Sequence, residues 1–239
     1  MTTASATMTT PEDLDQPAPA PARRGPLRTV LLAVIAVALV VIGGAGAVAL
    51  GIGRGDDTTP TTDSVDAGFA RDMSTHHLQG VEMANLGLTR AQDPRVRSLA
   101  FDISATQTNQ VGRMQGWLSL WGLPVSGGAR MAWMGGTGHD HAMAGMDTGA
   151  DGALMPGMAT EAELTELGTL TGQAFDVQFL RLMIRHHQGG LAMAQYAEAH
   201  AGVPAVRTLA RSIADTQTAE TTTMAQLLTE FGGTPLPGP

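Results

Sequence analysis

The sequence contains neither cysteine nor lysine, and each absence removes whole classes of protein. Without cysteine there are no disulfides, iron–sulfur clusters, thiolate metal sites or thiol nucleophiles. Without lysine there is no phosphate-loop lysine and no Schiff-base chemistry. The net charge of −8 argues against a nucleic-acid partner, because nucleic-acid binding needs a basic face. What the chain has in quantity is methionine, with 14 residues in 239.

The start of the chain is typical of a membrane-anchored protein. Residues 1–28 are rich in Thr, Ala and Pro, which predicts a disordered cytoplasmic tail. Residues 30–52 carry no charge and are long enough to cross a bilayer, so a transmembrane anchor is predicted over 29–53. Because three arginines precede this run, the rest of the chain is predicted to lie outside the cytoplasm (Arg23, Arg24 and Arg28). A cleaved signal peptide followed by secretion is the alternative, since small residues near the end of the run resemble a cleavage site.

The remainder of the chain repeats itself at a constant offset of 110 residues, without a gap. Chemically distinctive pairs in the first block are Asp66/Asp176, Phe69/Phe179, Met73/Met183, His76/His186, His77/His187, Gly80/Gly190 and Met83/Met193. A second block runs from Pro94/Pro204 to Leu118/Leu228. A repeat of this kind indicates a duplicated structural unit.

Each copy has the pattern of a helical hairpin, in which apolar residues recur every three or four positions. The first hairpin is predicted over residues 64–124 and the second over 160–233, joined by a loop over 125–159. A linker over 54–63 connects them to the anchor. Neither hairpin can bury its apolar stripe alone, so the two predict one all-α, four-helix bundle over 64–233.

Local signals place the ends of these helices. Asp93 followed by Pro94 is a typical helix start, because it combines a capping side chain with a proline at the first helical position. Thr160 and Glu163 form a capping-box pattern, which predicts a short extra helix before the second copy. Glycine and proline follow both hairpins and predict their ends.

Adjacent histidines repeat on the predicted buried face of each first helix, as His76-His77 and His186-His187. Methionines flank them one turn away on either side (Met73, Met83, Met183 and Met193). A buried imidazole needs a partner, and thioether sulfur favours Cu(I) among the metals that imidazole binds. The pattern predicts copper ligands. A hydrogen-bonded core with gap-filling methionines is the alternative.

The loop between the copies carries a second methionine pattern. Three Met-x-x-Met pairs are spaced twelve residues apart (Met131/Met134, Met143/Met146 and Met155/Met158), with His139 and His141 among them. The segment is rich in glycine and poor in aliphatic residues, so packing does not account for its six methionines. We therefore expect a mobile loop that captures copper, with a plain flexible linker as the alternative.

Dinuclear iron is the main rival metal centre for a helical bundle. It requires glutamates on facing helices and two Glu-x-x-His motifs, and the sequence contains no such motif. Glu82 has no acidic counterpart, because the equivalent residue is Ala192. Iron oxidation is therefore not expected, and no general base or substrate pocket supports another enzymatic activity.

The second copy carries a specific run of motifs: Phe175-Asp176-x-x-Phe179, Met183-Ile184-x-His186-His187-Gln188-Gly189 and Met193-Ala194, followed by Gln217-x-x-Glu220. These motifs resemble the bacterial "domain of unknown function 305" family, also called CopM-like, over about residues 64–232. The resemblance implies a ferritin-like four-helix bundle and, in some members, copper binding.

The first copy departs from this pattern at two places. Leu78 and Gln79 stand where the second copy has Gln188-Gly189, and Gln110 stands at the position of Glu220. Glu220 is a further candidate metal ligand. If it is one, the first copy holds metal more weakly, or only one site forms.

The sequence thus predicts a membrane-anchored, extracytoplasmic protein that binds Cu(I) or Cu(II) and sequesters it or passes it to an unidentified acceptor. The alternative is a metal-independent helical interaction or stress-response module. A copper-dependent redox enzyme is a third, less favoured hypothesis.

Overall fold

The computed structural model describes residues 59–135 and 152–239, and within these ranges it is all-helical, with no β-strand. The helices are α1 (Val65–Arg90), α2 (Pro94–Leu120), a 3₁₀ turn (Ala132–Met134), α3 (Glu161–Thr169), α4 (Gly172–His200) and α5 (Pro204–Glu230). The prediction of an all-α helical bundle is confirmed. Residues Thr59–Pro239 form one compact unit.

The long helices pair as two hairpins, α1 with α2 and α4 with α5, and the hairpins pack on each other through α1 and α4. Their ends follow the local signals in the sequence. The Asp93 side chain accepts from the Arg95 backbone N–H at the start of α2, and Pro94 is the first helical residue. Thr160 and Glu163 form the predicted capping box of α3.

Two aspartates join the hairpins reciprocally. The carboxylate of Asp66, in the first turn of α1, accepts from the backbone N–H groups of Gly202 and Val203 at 3.0 and 2.8 Å. Asp176 on α4 does the same to the other hairpin, accepting from the backbone of its α1–α2 turn at 3.0 and 2.9 Å. An aspartate near the start of α1 and one near the start of α4 therefore each bind the turn of the opposite hairpin, which places α1 and α4 antiparallel.

The apolar core consists of two clusters. The methionine-rich cluster contains Met73, Met114, Met131, Met134, Met155, Met158 and Met193, together with Phe69, Leu118, Trp133 and residues of α5. The phenylalanine cluster contains Phe175, Phe179, Met83, Met183, Met224 and aliphatic residues of α2 and α4. Along α1 and along α4, the histidine pair lies between residues of one cluster and residues of the other.

The predicted transmembrane anchor over residues 29–53 lies outside the described residues. Within the described ranges, no helix combines the length and apolar character needed to span a membrane.

Candidate metal centre

The four repeated histidines meet in one buried layer, because α1 and α4 pack against each other at their centres. All four side chains are fully buried. The rings of His76 and His186, one from each hairpin, lie 3.9 Å apart between centroids at a tilt of 36°. Within each pair the centroids are 6.4 Å apart for His76 and His77, and 6.2 Å apart for His186 and His187. The two copies thus contribute equivalent halves to this histidine layer.

Two glycines make this close approach possible. A Cβ on Gly190 would lie 3.2 Å from Cε1 of His76 and 2.8 Å from Nε2 of Gln217. A Cβ on Gly80 would lie 3.0 Å from Cε1 of His186 and would collide with the Gln107 amide oxygen. Each glycine therefore accommodates the histidine of the other hairpin and a glutamine of its own.

The hydrogen bonds of three histidines fix their tautomers. Nε2 of His186 donates to the backbone oxygen of His76 at 2.9 Å, and Nε2 of His76 donates to the backbone oxygen of Pro156 at 3.3 Å. Nε2 of His187 donates to a carboxylate oxygen of Glu220 at 2.7 Å. Because carbonyl and carboxylate oxygens only accept, the proton is on Nε2 in each case. The lone pair of the neutral ring is therefore on Nδ1.

Those Nδ1 atoms have no hydrogen-bond partner among the described residues, nor does either ring nitrogen of His77. Leaving a buried polar atom unpaired costs about 1–3 kcal/mol, so several in one layer indicate that the site accommodates a ligand. A metal-binding histidine almost always donates its other ring N–H to an oxygen, and here Nε2 makes that bond and leaves Nδ1 for a metal. The donor set therefore fits a metal that accepts nitrogen ligands.

Burial keeps these rings neutral. It lowers the pKa of His76 to about 4, with a further contribution from the nearby His187. It lowers the pKa of His77 to about 3, assisted by the adjacent His76. The pKa of His186 is also well below its ordinary value, mainly through burial and then through His76. At neutral pH these three rings therefore present lone pairs and carry no charge.

Gln107 on α2 and Gln217 on α5 belong to the same layer, although sequence reasoning did not select them as site residues. Both are buried, and neither amide has a hydrogen-bond partner within the described residues. They occupy equivalent positions in the two copies, and that repetition was the signal available in the sequence.

The layer is not symmetric in charge. Glu220, predicted as a metal ligand, contacts the ring of His187. The equivalent residue Gln110 is a buried neutral amide beside His77, and its side chain raises the pKa of that ring against the larger lowering by burial. The second half of the layer therefore contains a carboxylate and the first half does not.

The four flanking methionines are fully buried, as predicted, but they do not lie on one side of the histidines. Met73 and Met193 belong to the methionine-rich cluster, whereas Met83 and Met183 belong to the phenylalanine cluster. Thioether sulfur is therefore present on both sides of the layer.

The end of the inter-copy loop is held against the histidine layer. Residues 155–159, here called the strap, bring the Pro156 oxygen to His76. At Ala159 the backbone N–H donates to the Gln79 amide oxygen at 2.7 Å, and the Gln79 amide N–H donates to the Ala159 oxygen at 2.9 Å. The strap passes so close to α4 that a Cβ on Gly189 would lie 2.6 Å from the Pro156 carbonyl carbon. The departures of the first copy thus have a structural role, because Gln79 binds the strap and its counterpart Gly189 makes room for it.

The start of the same loop is also fixed. Asp72 accepts from the Met131 backbone N–H and from the Trp133 indole N–H, both at 2.8 Å. Trp133 packs edge-on against Phe69 and Tyr196.

These contacts correct one expectation about the loop. Four of its six methionines are buried in the methionine-rich cluster (Met131, Met134, Met155 and Met158), so packing does account for them. The expectation was wrong because the sequence of the loop does not reveal that the bundle supplies an apolar surface for these side chains. The other predicted ligands of the loop lie outside the described residues (His139, His141, Met143 and Met146).

In the two described ranges, no three His, Asp or Glu side chains are already grouped as a metal-binding site. The candidate centre instead consists of paired imidazoles with methionines beyond them, and its donors point to soft or borderline metals rather than to magnesium or calcium.

Comparisons with known proteins agree with this architecture. A family model described as "Domain of unknown function (DUF305)" matches residues 66–228. A DUF305 protein from Streptomyces coelicolor, described as a candidate secreted protein, is 43% identical, with 74% of this chain and 99% of that chain covered and a TM-score of 0.65. A DUF305 fragment from Deinococcus radiodurans is 36% identical, with coverages of 70% and 96% and a TM-score of 0.55.

A third similar structure is CopM in its Cu(I)-bound form, which is 26% identical, with 70% of this chain and 98% of that chain covered and a TM-score of 0.53. The Cu(II)-bound form of CopM is 27% identical, with coverages of 70% and 97% and a TM-score of 0.51. No curated protein matches the chain.

Proposed function

This chain belongs to the DUF305 family, and we propose that it is an extracytoplasmic protein that binds copper at its buried histidine layer and sequesters it or passes it on. The observation that supports the proposal best is the set of buried Nδ1 atoms that lack hydrogen-bond partners in the described residues. Each belongs to a fully buried histidine, and three of these rings are held by an Nε2–H donated to an oxygen.

The ligand chemistry suits copper in both oxidation states. Neutral imidazole binds Cu(II) and Cu(I), and the methionines on either side of the layer favour Cu(I). The similarity to CopM, which has been crystallised with Cu(I) and with Cu(II), supports the same metal here. When bound, copper takes up the unpartnered lone pairs. Burial holds His76, His77 and His186 neutral and keeps water out of the layer. Hydrogen bonds through Nε2 fix the orientation of His76, His186 and His187.

The inter-copy loop is the proposed entry route. Met155 and Met158 belong to the strap and are buried beside Met73 and Met193 in the methionine-rich cluster. His139, His141, Met143 and Met146 are proposed to capture copper before it reaches this cluster. A path of thioether and imidazole groups contains no cysteine, so disulfide formation outside the cell cannot remove its ligands.

The proposed location is the outer face of the cell membrane, with residues 30–52 as the anchor. The arginines before this segment support export of residues 54–239. The candidate secreted status of the Streptomyces relative supports an extracytoplasmic location and leaves anchor and cleaved signal as alternatives. Protease added to intact spheroplasts should degrade residues 54–239, and protection of that segment would contradict export.

Thermal unfolding with and without copper tests the central proposal. Residues 59–239 are measured as wild type and as His186→Gln/His187→Gln, each with Cu(II) or with Cu(I) under reducing conditions. At a free copper concentration about 100 times Kd, binding stabilises the fold by about 2.7 kcal/mol, or roughly 5–10 °C in Tm. We expect this increase in the wild type and its loss in the variant. A wild-type Tm that changes with neither Cu(I) nor Cu(II) would refute the proposal.

The metal-independent alternative is favoured by one observation, which is that His186 and His187 already donate hydrogen bonds through Nε2. If the histidines serve only to make those hydrogen bonds, the double substitution lowers the free energy of unfolding of the metal-free protein by about 1–3 kcal/mol. Copper then leaves the Tm of both proteins unchanged. The same four melting curves distinguish the two functions.

A further inference from the structure

The two halves of the histidine layer are equivalent in backbone but not in charge. His187 donates Nε2–H to Glu220 at 2.7 Å, and the Glu220 side chain is 16% exposed. At the matching place in the first half, His77 has no hydrogen-bond partner at either nitrogen, and Gln110 is buried. The histidines and the two buried glutamines of the layer match in pairs, so Gln110/Glu220 is the position at which the halves of the layer differ in charge.

A carboxylate behind a histidine changes what the ring binds best. When the Nε2–H is held by a carboxylate, the ring becomes a more basic ligand at Nδ1. The added negative charge lies in a buried layer, where it offsets a second positive charge on the metal more strongly than water does. Both effects favour Cu(II) over Cu(I). A ring beside a neutral amide gains neither effect and suits the less charged ion.

We propose that Glu220 determines the oxidation-state preference of the site, so that the His187 half favours Cu(II) and the His77 half, with Gln110, favours Cu(I). This inference rests on the proposed copper binding. It assigns Glu220 a positioning and electrostatic role behind His187, distinct from the ligand role predicted from the sequence.

Glu220→Gln separates charge from structure. The amide has the same shape, and its oxygen still accepts from Nε2 of His187, so the hydrogen bond survives while the negative charge is removed. Gln110→Glu is the reciprocal variant and places a carboxylate beside His77. Glu166→Gln, exposed on α3, is the control for the same change of charge elsewhere.

The full-length chain is titrated with Cu(II) and, under reducing conditions, with Cu(I), each against a competing chelator, and the reduction potential of bound copper is measured. We expect Glu220→Gln to weaken Cu(II) binding by 10- to 100-fold, as for other partners behind a metal ligand, and to leave Cu(I) binding within about threefold. Each tenfold change in that ratio raises the potential by about 59 mV for one electron. Gln110→Glu should shift the ratio and the potential in the opposite direction.

The result distinguishes this inference from the function beneath it. If the wild type binds copper and Glu220→Gln changes the ratio of the two affinities by less than tenfold, the inference is overturned and copper binding stands. If the wild type binds neither ion, the proposed function fails. If circular dichroism shows that Glu220→Gln does not fold, Gln110→Glu is the deciding variant. An unchanged reduction potential of bound copper in Gln110→Glu then overturns the inference.

Discussion

Replacing Gly189 by alanine tests how the strap is held over the histidine layer. The new Cβ would collide with the Pro156 carbonyl oxygen and would lie 3.0 Å from Cα of Gly157. These are backbone atoms, so no side-chain rotation relieves the contact. Gly157 itself has a φ of +78°, which a non-glycine residue rarely adopts, and so the strap has little freedom to move at this point.

The magnitude follows from two opposing contributions. Overpacking at a tight contact costs about 1–3 kcal/mol. Alanine in a helix returns about 1 kcal/mol relative to glycine. Gly112→Ala on α2 is the matched control, because a Cβ there would meet nothing within 4 Å and only the helical gain remains. The difference in unfolding free energy between the two variants therefore isolates the clash, at about 1–3 kcal/mol.

Urea unfolding measures that difference, and hydrogen exchange shows where it arises. The Ala159 backbone N–H, which donates to Gln79 at 2.7 Å, should lose protection in Gly189→Ala and retain it in Gly112→Ala. If Gly189→Ala were as stable as Gly112→Ala, with Ala159 equally protected, the strap would not lie against α4 as described.

Two further predictions concern the whole fold. Lowering the pH from 7 to 4 should destabilise it, because His76 and His77 bind protons at about pH 6.5 when unfolded but only at about 4 and 3 when folded. The free energy of unfolding should therefore be highest above pH 6.5 and should fall by about 1.4 kcal/mol per pH unit for each histidine as the pH drops towards its pKa in the folded protein. A urea midpoint that does not change over this pH range would contradict the burial argument. Asp66→Ala and Asp176→Ala each remove two hydrogen bonds to the opposite hairpin, so each should lower the free energy of unfolding by at least about 1.5 kcal/mol. If urea unfolding showed no loss for one of the two variants, that aspartate would not help to hold the hairpins together.

The helices and the histidine layer were predictable because their signals are local or repeated. The Asp93-Pro94 start and the Thr160 capping box act within one turn, and helical periodicity alone places each histidine pair on a buried face. The offset of 110 residues then brings the two pairs to equivalent positions. The family resemblance, stated from the motifs of α4, is confirmed by the match over residues 66–228.

The strap and the buried loop methionines were not predictable, because they depend on contacts between distant segments. Nothing in the neighbourhood of Gln79 indicates that its amide binds Ala159, eighty residues away. The glycine-rich composition around Met155 and Met158 is typical of a solvent-exposed linker, and only packing against the bundle makes these side chains core residues. The separation of Met73 from Met83 into different clusters likewise depends on the antiparallel packing of α1 and α4.

The reciprocal contacts of Asp66 and Asp176 have the geometry of a two-fold symmetric dimer, in which each subunit completes the turn of the other. A single hairpin of this type would satisfy its aspartate and its turn only by pairing with a second copy. Covalent fusion of the two copies removes the requirement that both faces of the interface be identical. One half of this chain can therefore carry Gln79 and Gln110 while the other carries Gly189 and Glu220. A homodimer of identical hairpins would have the same residues in both halves and could not differ in this way.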